Sequence, residues 1–287
     1  MPDLWGIAAI LAKLLLYCGL TGATGLVMVC VAYPRLVAPF RKRIKTQIVI
    51  LAGLGLGAAL VGFMLRGAAL TGGADGMVDP VMLGLLWQTP VGGALIYRIA
   101  GVAILVAGLF IPRFGLWISL LGGGIALWSF AQIGHVFSLQ QTGVGLLLLL
   151  HLLGVAFWIG ILAPLRALAR APEHIRKAAS LGHQFGRAAT VIVPVLILAG
   201  FLMAWLLLGE LSALLSGYGR ALMVKLALVG AVLALAAANK TRFVPAMRAG
   251  DPIAARHLAR SIEIEAAAIL IVLLVTATLT SVLTPPS

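Results

Sequence analysis

The sequence predicts an all-α polytopic membrane protein, and three observations lead to that fold class. First, 62% of the 287 residues are apolar and only 10% are charged, which is too apolar for a soluble domain. Second, the chain contains eight apolar runs, each with about the 20 residues that an α-helix needs to cross the ~30 Å hydrocarbon layer of a bilayer. Third, the basic residues are concentrated in alternate gaps between these runs. Backbone groups in lipid must hydrogen-bond within the chain, so each run is expected to be a helix.

The runs follow one another along the chain with mostly short connections. They cover residues 4–33, 47–65, 92–111, 114–133, 144–165, 188–208, 220–239 and 262–283. The first run is preceded by Asp3 and lacks a basic start, so it is expected to remain as a helix and not to be removed as a signal peptide. The connection 172–187 is basic and is predicted to form a short helix of its own, since Pro172 suits a first helical turn.

The charge pattern predicts the orientation. Sixteen of the 21 Lys and Arg residues fall on one side, in or beside the gaps that follow the odd-numbered runs, whereas Asp3, Asp75, Asp79 and Glu210 fall on the other. The positive-inside rule makes the basic side cytoplasmic. Eight crossings then place both termini outside, which in a bacterial inner membrane is the periplasm. The net charge of +13 is therefore interpreted as a topology signal in contact with the lipid bilayer, and nucleic-acid binding is not predicted.

The whole chain, 1–287, is predicted to be a single transmembrane domain, with a possible duplication into repeats 1–138 and 139–287. The third run begins Gly-Gly-Ala-Leu-Ile-Tyr-Arg98, and the seventh begins Gly-Arg-Ala-Leu-Met-Val-Lys225. Gly19 and Gly25 in the first run have the same spacing as Gly154 and Gly160 in the fifth. Repeats of this kind are common in transport proteins.

Two histidines are the first candidates for a functional site, because polar groups inside a membrane are costly. His135 closes the outer end of the fourth run, and His151 lies about two turns inside the fifth. The short link between these runs predicts an antiparallel hairpin in which both imidazoles lie in the outer part of the membrane and face each other. Imidazole is a good ligand for copper, zinc, iron and haem, so the pair is predicted to be a metal site.

Other polar residues have weaker claims. Thioether and thiol groups favour Cu(I), so Met64, Met203 and Cys18 could extend the site. Arg98 and Lys225 either extend their charges towards the interface or line a polar cavity. A final group, Glu263 and Glu265, either forms ion pairs with the nearby Arg256 and Arg260 or accepts a cation or proton.

The sequence resembles the copper resistance protein D (CopD) family. The run from His151 through Trp158 and Gly160 to Pro164-Leu165 is similar to that family's His-x6-Trp-x-Gly…Pro-Leu signature. Further similarity lies in Gly134-His135, in the Gly-Arg-x-Leu-x-x-Lys-Leu stretch ending in Lys225-Leu, and in the Ser261–Glu265 start of the last run. The resemblance implies an inner-membrane protein that handles copper ions and receives them from a periplasmic copper-carrier protein.

The predicted function is thus uptake or transfer of copper from periplasm to cytoplasm, by a protein that is not an enzyme. No phosphate-binding P-loop is present, so ATP is not expected to drive it. Two alternatives remain at this point. Two histidines on facing helices can also ligate a b-type haem for electron transfer. The chain could instead be a docking scaffold for a periplasmic copper carrier.

Overall fold

The computed structural model describes residues 3–134, 143–208 and 210–282, and this part of the chain is helical with no β-strand. Its α-helices are α1 (Leu4–Ala32), α2 (Arg41–Thr71), α3 (Pro80–Trp87), α4 (Pro90–Gly108), α5 (Gly115–Trp128), α6 (Val144–Arg170), α7 (Ile175–Leu208), α8 (Gly217–Ala238), α9 (Val244–Arg248) and α10 (Pro252–Ser281). Within the described ranges, eight helical spans are long and apolar enough to cross a membrane, and they contain all of these helices except the short α3. The prediction of an all-α polytopic membrane protein is confirmed.

The spans alternate in direction, so their ends gather at two ends of the bundle. We call one the basic end; it holds Arg41, Arg113, Arg170 and Arg248. The other, the opposite end, holds Asp3, Asp79 and Glu210. The long helices α1, α4, α6 and α8 run from the opposite end towards the basic end, and α2, α5, α7 and α10 run back.

Several helices extend beyond the apolar runs at the basic end. Helix α2 begins at Arg41, before the apolar run that starts at residue 47. Helix α7 is continuous from Ile175 to Leu208. The prediction of a separate basic helix over 172–187 is therefore wrong. The last helix begins at Pro252, where the Asp251 side chain accepts the Ile253 N–H at 2.8 Å and caps it. Apolar runs reveal only the lipid-facing stretch, whereas Lys and Arg are good helix formers and continue the helix into water.

The two halves of the chain meet at the crossing of α1 and α6. A Cβ atom added at Gly25 would lie 1.8 Å from the Ala156 carbonyl oxygen, and one added at Gly160 would lie 2.1 Å from the Gly25 carbonyl carbon. Small residues permit such a close approach of two backbones. The predicted repeats align these two glycines, and a two-fold relation would make them face each other. Repeats over 1–138 and 139–287 remain a prediction.

Candidate functional site

A cavity of about 380 Å³ lies between α6, α7, α8 and α10. Most of its wall is apolar, with side chains such as Ile161, Leu162 and Leu258. The polar members of the wall are Trp158, Thr190, Asn239, Lys240 and Glu265. Pockets with an apolar wall and a few convergent polar groups are typical of binding sites in proteins.

The central group of this cavity is the carboxylate of Glu265, whose residue is only 3% exposed. Its Oε1 accepts the Trp158 indole N–H at 2.5 Å, and its Oε2 accepts an N–H of the Asn239 side-chain amide at 2.9 Å. Within the described ranges, no Lys, Arg or His nitrogen lies within 4.0 Å of this carboxylate. Both donors are neutral, so an ionised Glu265 has no ionic partner, and burying its charge in a membrane interior is costly.

Local backbone structure places the Asn239 amide. Helix α8 ends in a π-helical turn, Asn239–Phe243, whose wider spacing often marks functional positions in helices. Asn239 is buried, and its Oδ1 has no hydrogen-bond partner in the described part of the chain. Buried polar atoms are nearly always paired, so an unpaired acceptor in a cavity wall points to a missing donor.

Glu263 and Glu265 have different environments although only Ile264 lies between them in the sequence. Glu263 accepts the Arg166 Nε–H at 2.6 Å and also pairs with Arg170, both on α6. The prediction that Glu263 pairs mainly with Arg256 and Arg260 is therefore wrong. Helix α6 packs beside α10 and supplies the two arginines that pair with Glu263. Positions two apart on a helix point in nearly opposite directions, so one carboxylate reaches the surface and the other is buried. This geometric rule could have identified Glu265 from the sequence.

His151, the first of the two predicted metal ligands, is half-buried where α6 faces α7. Its Nδ1 lies 3.2 Å from the Leu196 carbonyl oxygen. A carbonyl only accepts hydrogen bonds, so Nδ1 carries the hydrogen and Nε2 keeps a free lone pair, the arrangement of many metal-binding histidines. A Cβ atom at Gly200 would lie 3.3 Å from the ring, and Met203 follows on the same face of α7.

The second predicted ligand, His135, lies outside the described residues, between Gly134 and Gly143. The pairing of the two imidazoles therefore stays a prediction. In the described ranges, the surroundings of His151 included, no group of three or more His, Cys, Asp and Glu side chains could hold a metal ion. His151 does share a helix face with Trp158, seven residues or ~10 Å further along α6. One face of α6 thus connects the imidazole with the wall of the cavity.

A second buried charge lies in the first half of the chain. Arg98 is only 7% exposed, its Nε donates to the Ser129 hydroxyl at 3.1 Å, and its guanidinium lies 5.4 Å from the centre of the Phe130 ring. Its charge interacts with those of Lys13 and Arg66, and Lys13 donates to the Thr280 carbonyl at 2.5 Å. Arg98 is thus held inside the bundle and does not extend towards the interface. Lys225 is half-buried, and its charge interacts with the His151 ring.

The remaining sulfur candidates are dispersed. Cys18 and Met64 are half-buried on α1 and α2, in the other half of the bundle from His151. Met203 is buried on α7 and is the one sulfur candidate that shares a face with residues beside His151.

These features define a class: an integral membrane protein whose helical bundle contains a polar cavity and a membrane-embedded imidazole. Two family models match the sequence. One, described as copper resistance protein D, matches residues 179–279, and one described as copper resistance protein D-like, N-terminal domain, matches residues 1–142. The chain is also 29% identical over 260 residues to copper resistance protein D of Pseudomonas syringae pv. tomato, covering 83% of this chain and 82% of the relative. No solved structure matches.

The chain belongs to the copper resistance protein D family, as the sequence resemblance indicated. Membership gives it a copper-related function in a membrane. Asn239 and Glu265 lie within the matched range 179–279, whereas His151 and Trp158 lie between the two matched ranges.

Proposed function

We propose that this protein carries copper ions from the periplasm to the cytoplasm across a bacterial inner membrane, without ATP and without enzymatic chemistry. In this proposal both termini are periplasmic and the basic end faces the cytoplasm. The observation that carries the proposal is the alignment of His151 and Trp158 on one face of α6, with Glu265 hydrogen-bonded to Trp158 at 2.5 Å. This alignment connects His151, a copper ligand in this proposal that lies near the opposite end, with the cavity. The cavity in turn continues towards the basic end.

His151 is suited to hold copper briefly. Its Nδ1 points at the Leu196 carbonyl, so Nε2 is the nitrogen that would bind the ion, together with His135 and the Met203 thioether. Imidazole and thioether ligands suit Cu(I). Lys225 of α8 interacts electrostatically with the His151 ring, and a protonated Lys225 would oppose a second positive charge there. Conduction requires binding that is weak enough to release the ion, and this ammonium favours release.

The cavity is suited to accept the ion next. It offers a buried carboxylate, which lowers the cost of a positive charge in the membrane interior. A concentration difference, or copper binding on the cytoplasmic side, then draws the ion inward. A periplasmic copper-carrier protein would supply the copper.

Copper uptake into proteoliposomes tests this function. We expect the wild type to accumulate Cu(I) when an inward copper gradient is imposed, His151→Ala and His135→Ala to lose most of the uptake, and His174→Ala, changed at the basic end, to retain it. Copper analysis of the purified variants gives a second readout. Equal copper content in the wild type and both histidine variants would contradict the assigned ligands.

The same preparations separate the alternatives. A b-type haem protein would show a stoichiometric Soret band in the visible spectrum, and we expect none. A docking scaffold would bind a periplasmic copper carrier but would leave the vesicle lumen free of copper.

A further inference from the structure

The cavity contains a chemical asymmetry that copper binding alone does not explain. Glu265 accepts one hydrogen bond on each oxygen, and both donors are neutral. Asn239 uses its N–H group on Glu265, while its own Oδ1, also buried in the cavity wall, has no partner among the described residues. The amide therefore donates a hydrogen bond to the carboxyl group and holds an unused acceptor close by.

The charged side chains on the helices around Glu265 are engaged elsewhere or exposed, so none of them in the described ranges forms an ion pair with its carboxylate. Arg166 and Arg170 of α6 are engaged by Glu263, and Arg248 of α9 lies 3.4 Å from the His183 ring of α7. Lys13 of α1 binds Thr280 near the opposite end. Lys240, in the π-helical turn that follows α8, lines the cavity but is exposed. The α7 residues in the cavity wall carry no ionisable side chain.

We propose that Glu265 is a proton-exchange site and that the protein exchanges one proton for each copper ion. This inference rests on the proposed copper transport. The carboxylate holds a single positive charge at a time, a proton when the cavity is free of copper and Cu(I) during passage. Holding both would leave an excess positive charge in the membrane interior.

Asn239 serves both states of the carboxyl group. When Glu265 is ionised, Oε2 accepts the amide N–H as observed at 2.9 Å. When a proton binds Oε2, the new O–H needs an acceptor, and a turn of the amide about its terminal bond presents Oδ1. The proton comes from water at the basic end and makes the carboxylate neutral, and copper that arrives from the opposite end displaces this proton towards the opposite end. No electron is transferred.

Infrared spectroscopy of the copper-free protein tests the proton site directly. We expect a pH decrease to produce the carbonyl-stretch band of a protonated carboxylic acid, and Glu265→Gln to remove that band. Glu263→Gln, which changes the surface carboxylate two residues away, should leave it in place. Asn239→Leu should shift the band because the acceptor is lost. A spectrum of Glu265→Gln identical to that of the wild type would overturn the proposal.

Proteoliposomes with an internal pH dye test the exchange. In the wild type we expect copper uptake to drive protons the other way, and in Glu265→Gln the protons moved per copper ion to fall at least tenfold. Glu265→Asp should restore part of the ratio. Unchanged proton movement per copper in Glu265→Gln would refute the exchange. Absence of copper uptake in the wild type would instead refute the proposed function, and the infrared result would still decide the proton site.

Discussion

The two halves of the bundle bury opposite charges and pack them differently. In the first half, Arg98 lies among Ser129 and Phe130, and helices approach so closely that a Cβ atom at Gly19 would lie 2.4 Å from the Gly55 nitrogen. In the second half, Glu265 lines a cavity of about 380 Å³. The span containing α1 has 72% of its most apolar stretch buried, whereas the spans containing α7 and α8 have 11% each.

This difference indicates which half handles a cation. The guanidinium groups of Arg66 and Arg98, which interact electrostatically with Lys13, disfavour a copper ion in the first half. A carboxylate with neutral donors favours it in the second. We therefore interpret the first half as the rigid support and the second half as the part that binds and moves the ion.

The largest effect is expected where the two halves meet. Gly25→Ala would place its Cβ 1.8 Å from a backbone oxygen of α6, and backbone cannot move aside as a flexible side chain can. Overpacking typically costs about 1–3 kcal/mol and occasionally more, and a clash with backbone belongs at the upper end of that range. Thermal unfolding in detergent should show a greatly destabilised protein. Gly57→Ala, with open space around its Cβ, is the matched control. Equal melting temperatures would contradict the close contact of α1 and α6.

The assignment of roles to the two halves is tested by one variant from each. Glu265→Gln removes the charge that offsets copper in the cavity, and an uncompensated charge in a membrane interior costs about 2.5–3.5 kcal/mol. Copper uptake should slow by roughly a hundredfold, since ~1.4 kcal/mol corresponds to tenfold. Arg98→Met should change the uptake rate by less than about threefold per folded protein, an effect of ~0.6 kcal/mol. If Arg98→Met slows uptake as much as Glu265→Gln, the division of labour between the halves is wrong.

A smaller effect is expected from the hydrogen bond that joins α6 to the carboxylate. Trp158→Phe keeps most of the ring but removes the N–H that Glu265 accepts at 2.5 Å. Hydrogen bonds to charged groups contribute about 1.5–3 kcal/mol, so the melting temperature should fall measurably. Trp117→Phe is the control, because Trp117 is 61% exposed. Equal changes in the two variants would show that the bond contributes little.

Much of the fold could be predicted from the sequence, because a bilayer imposes a length and a polarity on each span. Helix ends in water carry no such constraint, so the start of α2 at Arg41 and the long α7 could not be located. For the site, His151 was identified because an imidazole is conspicuous among apolar residues. The partnership of Glu265 with Trp158 and Asn239 depends on three helices meeting, and no local pattern encodes that.

The smallest effect is expected at the surface carboxylate beside the site. Glu263 pairs with Arg166 and Arg170 but is partly exposed, so water and salt screen the interaction. Glu263→Gln should lower the melting temperature less than Trp158→Phe does, and the difference from wild type should shrink at high salt. Glu173→Gln, at an exposed position with no ion pair in the described ranges, is the control. If Glu263→Gln lost as much copper uptake as Glu265→Gln, the carboxylate at the basic end, and not the one in the cavity, would be the one that supports uptake.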